Sequence, residues 1–213
     1  MKKKKIKEIF ERLEARNPNP QTELIFDSPF QLLIAVILSA QTTDKAVNKV
    51  TPELFKIAPC ASSLARLPAE KIERIISGIG LFKKKAQFIV KTSNLLIKRH
   101  GGDLPTSREE LEDLPGVGHK TAGVVLNTIF QQSEVAVDTH VFRVSTRLGL
   151  ADARNIKKLE NQLNTIVPNR YKLKAHNLLL LHGRYICKAK NPSCGACFLK
   201  DLCNFGKQRL MIN

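Results

Sequence analysis

The chain has 213 residues, 43% of them hydrophobic, enough to close one sizeable core or two smaller ones and too apolar for a disordered polypeptide. Lys and Arg number 35 against 19 Asp and Glu, a formal charge of +16. Such a surplus favours a polyanionic partner, because cations that neutralise phosphates release condensed counterions.

Membrane and export signals are not expected. Residues 32–38 form the most apolar run, far short of the ~20 residues a bilayer span needs, and read as a buried helix. The basic start, Met1 to Lys5, leads into a mixed amphipathic stretch rather than an apolar export core. The expected location is therefore cytoplasmic and DNA-accessible, where disulfides are disfavoured.

Apolar residues recur at three- and four-residue spacing through 6–13, 30–38, 46–55, 86–97, 122–129, 141–148 and 159–166, which predicts helices. Breakers separate them: Asn17-Pro18-Asn19-Pro20, Ala58-Pro59, Gly78-Ile79-Gly80, Gly101-Gly102, Pro115-Gly116 and Pro168-Asn169. No segment alternates as a strand does, so the fold class is all-α. Two stretches resemble each other. Leu67-Pro68 leads to Gly78-Ile79-Gly80, Lys84 and Ala86, and Leu104-Pro105 leads to Gly116-Val117-Gly118, Lys120 and Ala122. Both read as helix, Gly-x-Gly turn, helix, and two copies are too few for a solenoid. The basic residues also cluster: residues 74–99 hold seven and no acid, and residues 170–200 repeat that count. Two such zones fit the two sides of a groove, although solvated faces of a Lys-rich protein give the same pattern.

The sharpest segment is 114–122, Leu-Pro-Gly-Val-Gly-His-Lys-Thr-Ala. Gly116 and Gly118 flank Val117 in a turn that lets backbone N–H groups approach an anion. The helix beginning near His119 adds its own uncapped N–H groups and dipole. Together these make a DNA-backbone clamp without base readout. Lys120 falls in the first turn of that helix, where a cation opposes the dipole and the neutral amine is favoured. A neutral amine can attack an electrophilic sugar carbon; a phosphate contact explains the same position equally well.

Asp138 precedes the next helical period and reads first as an N-cap, worth ~1 kcal/mol. A carboxylate there also suits stabilising oxocarbenium charge or relaying a proton, and the two roles are compatible. His140 reads as a structural side chain or a phosphate contact.

Cys187, Cys194, Cys197 and Cys203 fall within 17 residues as C-x6-C-x2-C-x5-C, leaving Cys60 alone upstream. Four thiols this close in a cytosolic protein indicate a metal centre, and both zinc and [4Fe–4S] accept four thiolates. One C-x2-C knuckle flanked by single cysteines, rather than two knuckles, tilts toward iron–sulfur. Lys188, Lys190 and Lys200 interleave with the ligands, so the pinned loop is an expected DNA-contacting surface.

At these residues, together with Leu181-His182-Gly183-Arg184, the chain resembles the endonuclease III family of the helix–hairpin–helix DNA glycosylase superfamily. The resemblance spans nearly the whole chain. It implies a two-lobed fold with a DNA groove between a six-helix lobe, 22–132, and a lobe built from 1–21 plus 133–213. It implies a [4Fe–4S] cluster on Cys187, Cys194, Cys197 and Cys203 within the loop 187–203. Lys120 matches the family's Schiff-base lysine and Asp138 its catalytic aspartate. Gln41 and Leu81 match residues that fill the space left by an extruded base, and Gly116, Val117, Gly118, His140 and Lys190 are the remaining expected DNA contacts. The implied activity is base-excision repair: release of oxidised pyrimidines from double-stranded DNA, then AP lyase cleavage 3′ of the abasic site. A monomer acting at a bacterial-type nucleoid is expected. Two rivals share features. A monofunctional adenine-mismatch glycosylase has the same fold and cluster, but a lysine at 120 and an end at Asn213, with no second recognition domain expected, oppose it. A non-catalytic, metal-stapled DNA-binding module leaves Lys120 and Asp138 without a shared purpose.

Overall fold

The computed structural model describes residues 3–133, 135–151 and 154–212, and every regular element among them is an α-helix. The chain divides into two compact units, residues 23–131 and residues 1–22 joined to 132–213.

The first unit is built around α2 (Pro29–Ser39), whose residues from Phe30 to Leu38 are all buried. Pro29 opens the helix and Ser28 caps it, accepting the Gln31 N–H at 3.2 Å. A helix apolar on all sides needs neighbours on all sides. They are α3 (Asp44–Ile57), α6 (Phe82–His100) and α8 (His119–Phe130). Between α3 and α6 run the short α4 (Ala61–Ala65) and α5 (Ala69–Ile75); α7 (Arg108–Glu112) precedes α8. The expected six-helix lobe thus holds seven helical segments among the described residues, α4 and α7 being single five-residue turns.

Both Gly-x-Gly motifs sit in turns between helices, α5 to α6 and α7 to α8. In each, the middle residue is buried and its N–H closes a turn three residues back: Ile79 to Ile76 at 3.1 Å, Val117 to Leu114 at 3.0 Å. The two turns are not copies. In the second the left-handed residue is Gly116, at φ +82°, whereas in the first it is Leu81, at φ +59°.

The second unit comprises α1 (Lys3–Arg16), α9 (Thr139–Leu148), α10 (Ile156–Ile166), α11 (Asn169–Tyr185) and α12 (Asn204–Ile212). α11 packs on α1 and α9, with Phe10 stacked on Tyr171 at 5.5 Å between ring centres. The cysteine loop, residues 187–203, runs between α11 and α12 without a helix of its own. Arg12 of α1 anchors it through Asp201 at 2.7 and 3.0 Å and the Phe198 carbonyl at 3.0 Å.

Candidate active site and metal centre

The hairpin before α8 is held from the core side. Leu111, Leu114 and Val117 are buried, and Thr92 Oγ1 of α6 donates to the Pro115 carbonyl at 2.8 Å. Gly116 is required by the fold: a Cβ there would stand 2.9 Å from Phe88 and 3.1 Å from Ile37, on a left-handed backbone. Gly118 is different. Its backbone is extended and a Cβ would meet nothing within 4 Å. As N-cap of α8 it offers no side chain, so the helix start lacks the usual side-chain acceptor. Lys120, second residue of α8, is exposed. Beside it the His119 ring lies 2.8 Å from Glu112, and Arg108 donates to the His119 carbonyl at 3.1 Å.

Asp138 caps α9, its Oδ1 accepting the Val141 N–H at 2.7 Å, and it is buried. Val135 and Ala136, just before it, are fixed from two helices. His176 of α11 donates through Nδ1 to the Ala136 carbonyl at 2.8 Å, and Asn164 of α10 accepts the Val135 N–H at 2.9 Å. His140, half-buried, lies 3.1 Å from Arg143, which also donates to the carbonyls of Gly183 and Cys187 at 2.9 and 3.1 Å. One turn on, Arg147 donates to the carbonyls of Lys188 and Ala189 at 2.7 and 3.1 Å and to Cys187 Sγ at 3.5 Å, its guanidinium stacked on Phe205. Two arginines of α9 therefore hold the backbone just before Lys190, which is exposed and precedes a left-handed Asn191 at φ +49°. The four-residue spacing of Arg143 and Arg147 is visible in sequence; their partners in residues 183–189, 40 or more positions away, are not.

Gln41 and Leu81 are both exposed and both left-handed, at φ +55° and +59°. Non-glycine residues rarely adopt this conformation, and where they do the surroundings must enforce it.

The four clustered cysteines line one cavity, together with Leu148, His182 and Phe205. Burial pushes the Cys197 and Cys203 thiols above the ordinary range, and the other three cysteines of the cluster add to the shift at Cys197. Metal coordination would reverse that, since a bound cation favours thiolate. Donors to sulfur stand ready: Arg147 to Cys187 at 3.5 Å, His182 Nε2 beside Cys197 at 3.8 Å, and Gly206 N–H to Cys203 at 3.3 Å. A single zinc would draw its sulfurs to ~2.3 Å from one point. Four thiols lining one cavity are a donor set that an iron–sulfur cluster takes, one thiolate to each iron. Cys60 lies apart as the N-cap of α4, exposed, its thiol held down to about 7 by hydrogen bonds with Ser62 and Ser63.

Comparison with known proteins bears directly on this arrangement. Residues 34–169 match the HhH-GPD superfamily of base excision DNA repair proteins, and residues 187–203 match the iron-sulfur binding domain of endonuclease III. Endonuclease III of Haemophilus influenzae is 50% identical over 205 residues, 96% of this chain and 97% of the relative. The chain belongs to the endonuclease III family. Endonuclease III of Escherichia coli K12 is 48% identical over the same coverage. A trapped endonuclease III–DNA covalent intermediate and a non-covalent endonuclease III–DNA complex each align with a TM-score of 0.93 at 41% identity, over 99% of both chains. The all-α two-lobed fold, the bifunctional glycosylase and AP lyase activity in base-excision repair, and the [4Fe–4S] cofactor follow from this membership. It sets aside the adenine-mismatch and non-catalytic alternatives. Among the described residues no helix is long and apolar enough to cross a membrane.

Proposed function

We propose that Lys120 is the nucleophile and Asp138 its electrostatic partner in removing oxidised or ring-saturated pyrimidines from duplex DNA. The observation that carries this reading is the placement of Lys120: an exposed amine in the first turn of α8, two residues after an unobstructed Gly118 that leaves the helix start without a side-chain cap. The turn Gly116–Val117–Gly118 grips a phosphate through its glycine N–H groups, the Val117 N–H being used on the Leu114 carbonyl, and this sets the amine beside the sugar. Lys120 Nζ forms a bond to C1′ as the bond from C1′ to the base breaks, and the base leaves with the bonding electrons. Asp138 offsets positive charge developing on the sugar. Opening of the C1′–O4′ bond, with a proton delivered to O4′, turns that adduct into a protonated imine, which acidifies C2′. Loss of the C2′ proton expels the 3′ phosphate with the C3′–O electron pair, and water then returns the lysine. That a relative at 41% identity forms a covalent intermediate with DNA supports the imine step.

Gln41 and Leu81 fill the gap left by the extruded nucleotide, whose unstacking costs a few kcal/mol and less at a damaged base. Their exposed, enforced backbone conformations support this role. Cys187, Cys194, Cys197 and Cys203 hold the cluster, which when bound fixes the loop that presents Lys190 to the DNA backbone, and His140 is a further backbone contact. The protein acts as a monomer at the bacterial chromosome, in keeping with its duplex substrate and the bacterial sources of its relatives.

Borohydride trapping on a duplex with an abasic site tests the central step. Wild type gives a covalent protein–DNA band and Lys120→Ala gives none. An equal band from Lys120→Ala would place the imine on another amine and end this assignment.

A further inference from the structure

Lys85 is the one lysine of the 83–85 run that faces inward: 3% exposed, against the exposed Lys83 and Lys84. A buried lysine is ordinarily matched by a carboxylate. Here the Nζ partner is the neutral hydroxyl of Thr42, at 2.7 Å. Burial also holds the Lys85 pKa below the usual lysine value, so the fold carries a cost that an apolar side chain would avoid.

What the bond joins explains the cost. Thr42 Oγ1 donates in turn to the Ala40 carbonyl at 3.4 Å, and Thr42 N–H to the Ser39 carbonyl at 3.0 Å. Thr42 thereby spans the turn that holds Gln41 left-handed. The Lys85 N–H donates to the Leu81 carbonyl at 3.0 Å, the first bond of α6, and so closes the turn in which Leu81 is left-handed. One residue is tied to both turns, by its side chain to one and by its backbone to the other.

We propose that Lys85 is a positioning residue that fixes the register of Gln41 and Leu81 through its bond to Thr42. The inference rests on the reading of those two side chains as the pair that fills the opened stack. Without the bond each turn relaxes separately, and the two side chains no longer arrive at the stack together.

The test uses the intact protein and a duplex with 2-aminopurine beside the lesion, whose fluorescence rises as the stack opens. Leu81→Gly reports on the underlying reading and abolishes the rise. Lys85→Met removes the ammonium with the side-chain length kept, and Thr42→Val removes only the hydroxyl. Each slows the rise about tenfold, within the range of coupled neighbours, and the double variant is no slower than either single one. Thr42→Ser, which keeps the hydroxyl, stays near wild type, and Lys85→Met melts no lower than wild type. Thr42 is half-buried on a turn, so its pair of variants decides the matter even if Lys85→Met folds poorly. Loss of the rise in Leu81→Gly with wild-type kinetics in Thr42→Val and Lys85→Met overturns the proposal alone. An undiminished rise in Leu81→Gly removes the gap-filling reading, and the proposal with it.

Discussion

Asp138 is 7% exposed and its Oδ1 holds the Val141 N–H, so a substitution there touches α9 as well as any chemistry. Two replacements separate the effects. Asn is as good an N-cap as Asp but carries no charge, whereas Ala gives up the cap at a cost of ~1 kcal/mol. Asp138→Asn is expected to melt with wild type, and Asp138→Ala about 2–4 °C lower. Single-turnover base release falls sharply in both. Thermal melts paired with that assay check the argument, and full activity in Asp138→Asn would show that the charge is not used. The cap is legible in sequence because Asp directly precedes an apolar helical period. His176 and Asn164, which steady the segment before it, are not: each meets the backbone across 29 or more positions, and neither carries a local pattern. The same distance hides Thr42 and Lys85, which sequence shows only as a turn residue and one of three adjacent lysines.

At the scale of elements, the paired hairpins show what a motif conveys and what it leaves open. Sequence treats Gly116 and Gly118 as equivalent members of a Gly-x-Gly. The fold gives them different reasons. Gly116 is pressed against Phe88 and Ile37 at φ +82°, whereas Gly118 borders open space on an extended backbone. Gly116→Ala should therefore cost at least ~1 kcal/mol in stability, from left-handed strain and the close contacts. Gly118→Ala should melt within ~0.5 kcal/mol of wild type. It should nevertheless weaken duplex binding, because its new methyl stands where a phosphate approaches the helix start. Denaturant melts and binding isotherms on both variants test this, and wild-type affinity in Gly118→Ala would rule out close backbone approach there. Helix legibility follows a similar physical line. The seven periodic segments correspond to α1, α2, α3, α6, α8, α9 and α10. α4 and α7 are too short to show a period. α11 is 17 residues long yet shows no clean stripe, because His176, His182 and Gly183 are buried among its leucines.

For the whole molecule, the +16 charge matters through where it is held. The zone 74–99 falls in one unit and the zone 170–200 in the other. Composition alone does not say whether such zones are ligands for phosphate or solvated faces, and the fold helps because it shows which backbone is fixed. Lys190 sits on a loop gripped by Arg143 and Arg147 and anchored by Arg12, so the backbone that carries it is held in place. Lys7 on α1, by contrast, pairs with Glu11 at 3.6 Å on an exposed face, an arrangement worth little. Each phosphate engaged contributes roughly 0.9 to the fall of log affinity with log salt, so about six contacts give a slope near −5. Lys190→Ala is expected to weaken binding at low salt and to flatten that slope by about 0.9. Lys7→Ala is expected to change neither, although it removes the same formal charge. A salt series on the three proteins distinguishes the cases. Equal flattening in both variants would mean that net charge, not a positioned loop, attracts the DNA. An unchanged slope in Lys190→Ala would remove that lysine from the phosphate contacts.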